Sequence, residues 1–164
     1  MKKNILIFII LLSISFLILF FANFTVTKEK VLIIANTEKN TEKVLSVPDN
    51  KFILSFIHSV HHTPVYEYFE INQDNTLIMK EIRYYSLGVG MPFTDEGGIF
   101  SNENGEFVLK FNREFDKLFM RISPIPQHAI KIGDKIYPLL SFAEPEQQIK
   151  IVASEKWLFK KRNN

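Results

Sequence analysis

The run from Ile5 to Ala22 constrains this chain more than any other feature. It is eighteen residues of Ile, Leu, Phe and Ala in which only Ser13 and Ser15 are polar and none is charged. A hydrocarbon core about 30 Å thick takes roughly 20 helical residues, so the run is long enough for one crossing. A buried helix of a soluble domain would carry a polar stripe, which this segment lacks. Lys2 and Lys3 precede it, and the positive-inside rule holds them in the cytoplasm. The expectation is a single-pass protein of the cell membrane with everything after Ala22 on the extracytoplasmic side. Signal peptidase needs small residues one and three positions before its cut, and for a cut after Ala22 the second of these is Phe20. Residues 1–23 are therefore read as a membrane anchor or uncleaved signal, and residues 24–164 as one extracytoplasmic domain.

Composition removes several classes of function. The formal charge is +2, but without Lys2 and Lys3 the remaining 18 basic residues balance 18 acidic ones. A neutral domain offers no surface for neutralising phosphates, so no nucleic-acid partner is expected. The absence of Cys excludes disulfides, thiolate catalysis, lipoprotein anchoring and thiolate zinc sites.

Beyond Phe24 the apolar runs become short and rich in Ile, Val, Phe and Tyr, separated by polar turn formers about every ten residues, which is a strand pattern. Ten strands are expected: 31–35, 43–47, 52–59, 65–72, 77–84, 107–112, 118–123, 129–132, 136–140 and 148–152. Turns fall at Asn36 to Thr41, Pro48-Asp49-Asn50, Gln73-Asp74-Asn75, Asn102 to Gly105 and Gly133-Asp134, the last a hairpin. Asn112 to Lys117 suits one helical turn, and Ser154 to Arg162 suits a short terminal helix. The fold class is all-β, a sandwich or a partly closed barrel of about ten strands after one N-terminal transmembrane helix. Phe52, Phe56, Phe69, Phe107 and Phe111 are its expected core.

Three segments are candidates for chemistry. In the first, Phe56 to Tyr68, three of the four His residues fall within five positions. Imidazoles with a carboxylate suit zinc, copper or nickel, so His58, His62 and Glu67 form a candidate set for a metal-dependent hydrolase if the chain folds back at Thr63-Pro64. Against this, His61 points to the opposite face of a strand from His58 and His62, and polar residues are ordinary in an exposed hairpin connection. Ser59 follows His58 directly, so the two face opposite sides and form no Ser-His dyad.

The second segment, Arg83 to Gly98, holds four of the six glycines and reads as a shaped loop. No helix or Lys-Ser/Thr follows, which excludes a P-loop, and the adjacent Asp95 and Glu96 read as solvated carboxylates. The third, Arg121 to Tyr137, is stiffened by Pro124 and Pro126 and carries His128. At the end, Lys156 to Arg162 sets Trp157, Leu158 and Phe159 among cations, a composition that could touch an anionic lipid surface, but the segment is read as a frayed, solvated end.

His58-Ser59-Val60, Thr63-Pro64-Val65 with Glu67, and Gly88-Val89-Gly90-Met91-Pro92 together resemble a bacterial family, the domain of unknown function DUF1850. The resemblance runs from about Val31 to Val152 and includes the Ile130 to Gly133 hairpin. It implies a small anchored or exported protein with no established enzymatic activity. It also implies an accessory role beside tripartite (TRAP) solute importers of the TAXI type, with the transporter membrane subunit or its solute-binding protein as partner. Carried over residue by residue, the ligand- or partner-binding positions are His58, Ser59, Thr63, Pro64, Glu67, Gly88, Gly90 and Pro92. The family commonly places an acidic and then a variable residue where this chain has His61 and His62, so a metal site using them would be peculiar to this chain. No catalytic residue, metal or cofactor is expected, and His58 with Glu67 is read as a pair across one hairpin.

Overall fold

The computed structural model describes residues 2–88, 90–92, 94 and 97–161. Helix α1 (Lys2–Asn23) is followed without a linker by β1 (Phe24–Asn36). Then come β2 (Thr41–Ser46), β3 (Lys51–Ile57), β4 (Pro64–Ile71), β5 (Leu77–Tyr84), β6 (Ile99–Glu103), β7 (Glu106–Phe115), β8 (Leu118–Arg121), β9 (Ala129–Ile132) and β10 (Lys135–Pro138). A 3-10 turn (Leu139–Ser141) and the long β11 (Gln148–Lys161) complete the chain. In α1 the Ser13 hydroxyl is satisfied within the helix, donating to the Ile10 carbonyl at 2.8 Å. Asn23 Nδ2 donates to the Leu19 carbonyl at 2.8 Å, occupying one acceptor left open at the helix end.

The strands form two sheets, one ordered β2-β1-β11-β8 and the other β10-β9-β3-β4-β5-β7-β6. The arrangement is a sandwich and not a closed barrel, which resolves the alternative left open by the sequence. Alternation sets the faces: on β3, Phe52 and Leu54 are buried while Lys51 and Ile53 turn outward. Inward residues of both sheets meet in one cluster that includes Leu32, Ile34, Ile149 and Ile151 from the first sheet and Phe52, Leu54, Phe69 and Ile130 from the second. Phe52 and Phe69 are register partners with rings 4.9 Å apart and nearly parallel. A smaller cluster of Val65, Ile82, Tyr84, Met91 and Leu109 lies on the large sheet, with Phe56, Phe107 and Phe111 packed against it. The five Phe residues read as core thus divide between two clusters.

By contacts the chain divides into two compact units, 30–155 and the residues up to 29 together with those from 156 onward. In the larger unit Lys30 is 8% exposed, and its ammonium reaches the Gln73 carbonyl at 2.7 Å, Asn75 Oδ1 at 2.9 Å and Glu155 at 2.9 Å.

Two expectations are corrected and one strand is added. Ser154 to Arg162, read as a short helix, continues β11 as strand to Lys161, Arg162 lying outside the described residues. Asn112 to Lys117 is no helical turn, because β7 runs on to Phe115 in register with Leu77. Ile99–Glu103, where no strand is expected from the sequence, is the edge strand β6, joined to β7 through Asn104 and Gly105, both at positive φ.

Candidate functional site

Strand β3 ends at Ile57, which pairs with Pro64 at the start of β4. The connection is closed by its own backbone: His58 N–H donates to the Thr63 carbonyl and His62 N–H to the His58 carbonyl, both at 2.9 Å. His62 takes the left-handed conformation, φ 53°, to complete it. Inside the turn the His58 ring acts as a cap. Its Nδ1 accepts from the amides of Val60 at 3.3 Å and His61 at 3.2 Å, which leaves the proton of the neutral ring on Nε2. At 9% exposure His58 is part of the framework of the turn, with its ring 5.1 Å from that of His61.

The glycine loop after β5 is tied to this turn at two points and braced by its own contacts. The Thr63 and Ser86 hydroxyls are 3.0 Å apart. The His61 ring lies directly over Gly88, where an added Cβ would stand 2.0 Å from Nε2, so only a glycine accepts the ring in this position. Met91 N–H donates to the Gly88 carbonyl at 3.0 Å, and Met91 is buried in the smaller apolar cluster. The fully buried Tyr84 donates its hydroxyl to the Pro92 carbonyl. His58, Ser59, Thr63, Pro64, Gly88, Gly90 and Pro92 are thereby gathered at one end of the large sheet. Val89, Phe93, Asp95 and Glu96 lie outside the described residues.

Glu67 is placed differently. The register sets it opposite Leu54 on β3 and Ile82 on β5, while His58 stands opposite Thr63, so the two do not pair across the hairpin. It shares the inward face with Val65 and Phe69. Burial raises its pKa from 4.5 to about 7, since ionisation in apolar surroundings is disfavoured. His62 is exposed, and His58, His62 and Glu67 do not converge: among the described residues no three His, Asp or Glu side chains are grouped to hold a metal. His128 packs 5.8 Å from the Phe56 ring, its Nδ1 is buried without a partner among the described residues, and burial lowers its pKa.

Sequence reasoning missed Tyr84, Ser86 and the fit of His61 on Gly88, since each matters only through contacts made by folding. It also missed that Val60, Tyr85 and Leu87 stand exposed around the tied turn and loop. A cavity of about 430 Å³ opens elsewhere on the large sheet, beside Lys51, Ile53, Tyr68, Glu70, Lys80 and Lys131, and none of the eight candidate residues lines it.

The family model of the domain of unknown function DUF1850 matches residues 52–139, a span that runs from β3 to the 3-10 turn and contains the tied hairpin and loop. The chain belongs to the DUF1850 family. No curated protein and no solved structure matches it.

Proposed function

We propose that this DUF1850 protein is a non-catalytic binding accessory, held at the cell membrane by α1 with its β domain on the extracytoplasmic side. The partner proposed is a TRAP-type solute importer, through its membrane subunit or its solute-binding protein. The apolar helix from Lys3 to Asn23 is long enough to cross a bilayer and supports single-pass anchoring. The observation that carries the binding role is the cross-tied end of the large sheet, where the Thr63–Ser86 and His61–Gly88 contacts fix a surface and leave Val60, Tyr85 and Leu87 exposed on it. Exposed apolar side chains on a rigid frame favour a protein partner, because little conformational entropy is lost on docking. The residues resembling the family pattern act in this reading chiefly as frame: His58 caps the turn, and Gly88 admits the ring of His61.

Affinity capture of the tagged chain from detergent-solubilised membranes tests the proposal. A TRAP transporter subunit is expected in the eluate, and the double variant Val60→Asp with Leu87→Asp is expected to lose it while retaining its fold. Solute uptake unchanged by deletion of the protein would overturn the accessory role.

A further inference from the structure

The segment Lys156 to Lys161 holds the one Trp of the chain, and the binding surface above does not use it. It is the end of strand β11, on which Trp157 and Phe159, two residues apart, project from the same face and are each 66% exposed. Such exposure is unusual for rings of this size in water. In the unit that contains α1, the Phe159 ring lies 6.3 Å from that of Phe20, which itself stacks on Phe24 at 5.0 Å and meets Phe21 at 5.6 Å. Phe20 belongs to the last turn of the helix, three residues before Asn23. A span of 21 residues rises about 31 Å at 1.5 Å each, so that turn falls at the boundary between hydrocarbon and headgroups. Phe159 stands at the same depth as Phe20 by contact. Lys160 is engaged by Glu29 at 2.6 Å, while Lys156 and Lys161 are exposed beside the rings. Aromatic rings flanked by Lys are the side chains that this layer of a bilayer selects, the ring at headgroup level and the ammonium on phosphate.

We infer that the end of β11 lies in the outer headgroup layer, with Trp157 and Phe159 inserted as interfacial anchors and Lys161 directed to lipid phosphate. The inference rests on the membrane-anchor part of the proposed function, since the helix sets the depth. Its consequence is a second attachment that stops the strand stem from rotating freely about α1.

The single Trp makes the test direct. The full chain is reconstituted into phosphatidylcholine vesicles containing phosphatidylglycerol, with acyl chains brominated either near the headgroup or near the terminal methyl. Blue-shifted emission, protection from acrylamide and stronger quenching by the shallow bromines are the expected result. If the chain resists alkaline carbonate extraction yet Trp157 emits as a water-exposed indole open to acrylamide, the interfacial inference is overturned and the anchor stands. A shielded indole that neither set of bromines quenches would show a protein covering it, and would also overturn the inference. Release of the chain by carbonate would remove the anchor and this inference together.

Discussion

Glu67 stands directly across from Leu54 on the inward face of the large sheet, in a row that reads Ile130, Leu54, Glu67, Ile82, Leu109 from β9 to β7. The other four are buried and apolar, and no hydrogen bond reaches the carboxyl from the described residues. One ionisable group thus interrupts an otherwise continuous apolar layer.

The pH dependence of stability follows from this placement. Unfolded, Glu67 ionises near 4.5, and in the folded chain near 7. Between those values the folded state binds more protons than the unfolded one, so stability falls as pH rises through this window and is level above it. Glu67→Gln removes the ionisation. It is expected to match the parent below about pH 4.5 and to exceed it by about 2 kcal/mol near pH 8, less than the full shift gives because the side chain retains some water contact. Urea unfolding of the full chain in detergent across that range measures it. A loss of stability at the higher pH would mean that the carboxylate has a favourable partner.

The fit of Gly88 under His61 predicts a coupled pair. Gly88→Ala forces the His61 ring off the loop, at a cost of about 1 kcal/mol, and loosens the tie between Gly88 and the turn. His61→Ala alone changes little, because the residue is exposed and its backbone hydrogen bond to His58 remains. The double variant recovers most of the loss. A double-mutant cycle with a coupling of roughly 0.5 to 1 kcal/mol, and proteolysis at the loop in Gly88→Ala alone, are the expected readings. Additive effects would show that the ring and the glycine are independent.

Much of the sandwich was legible in the sequence because its central strands alternate over most of their length, bulges at Tyr68/Phe69 and Met79/Glu81 apart. The bounds of β5 and β9 are those expected from Leu77 to Tyr84 and Ala129 to Ile132; in β5 buried and outward positions alternate on either side of Lys80-Glu81, and in β9 Lys131 turns outward between the buried Ile130 and Ile132. β6 was not legible because it is an edge strand with Ile99 exposed, so no core face imposes alternation on it. The end of β11 was read as a short helix, and its strand state is decided by the sheet that places β11 between β1 and β8 rather than by propensity. At the candidate site, the turn and loop were visible as His, Pro and Gly signals. The register that separates His58 from Glu67 was not, since it depends on which residues close the turn.

Lys30 ties strand β1 to the turn between β4 and β5. Its ammonium meets Gln73, Asn75 and Glu155 while its stem is buried, so one side chain meets two acceptors of that turn and one on β11. Lys30→Met keeps the stem and removes the charge, so Glu155 loses its contact with the ammonium and two turn acceptors lose a donor at a site with reduced access to water. Breaking a buried pair from one side costs about 3 kcal/mol, of which partial exposure of Glu155 relieves some, so a loss of roughly 2 kcal/mol is expected. Lys30→Arg, charged but longer and planar, fits the three acceptors less well and is expected to fall between.

Phe69 gives the sharpest test of the core. It stacks on Phe52 and meets the Phe115 ring edge-on at 6.2 Å, which joins β3, β4 and the end of β7. Phe69→Ala removes a fully buried ring and leaves a cavity that three neighbouring strands cannot close, at an expected cost of about 3 to 5 kcal/mol. Phe69→Leu retains much of the volume and is expected to lose about half as much. Phe111, only partly buried and packed against both clusters, should cost less on truncation because its ring already has water contact. Thermal unfolding of the three variants side by side orders them: Phe69→Ala lowest, then Phe69→Leu, then Phe111→Ala nearest the parent. If Phe111→Ala proved the most damaging, the junction between the clusters, and not the stacked Phe pair, would be where the large sheet derives its stability.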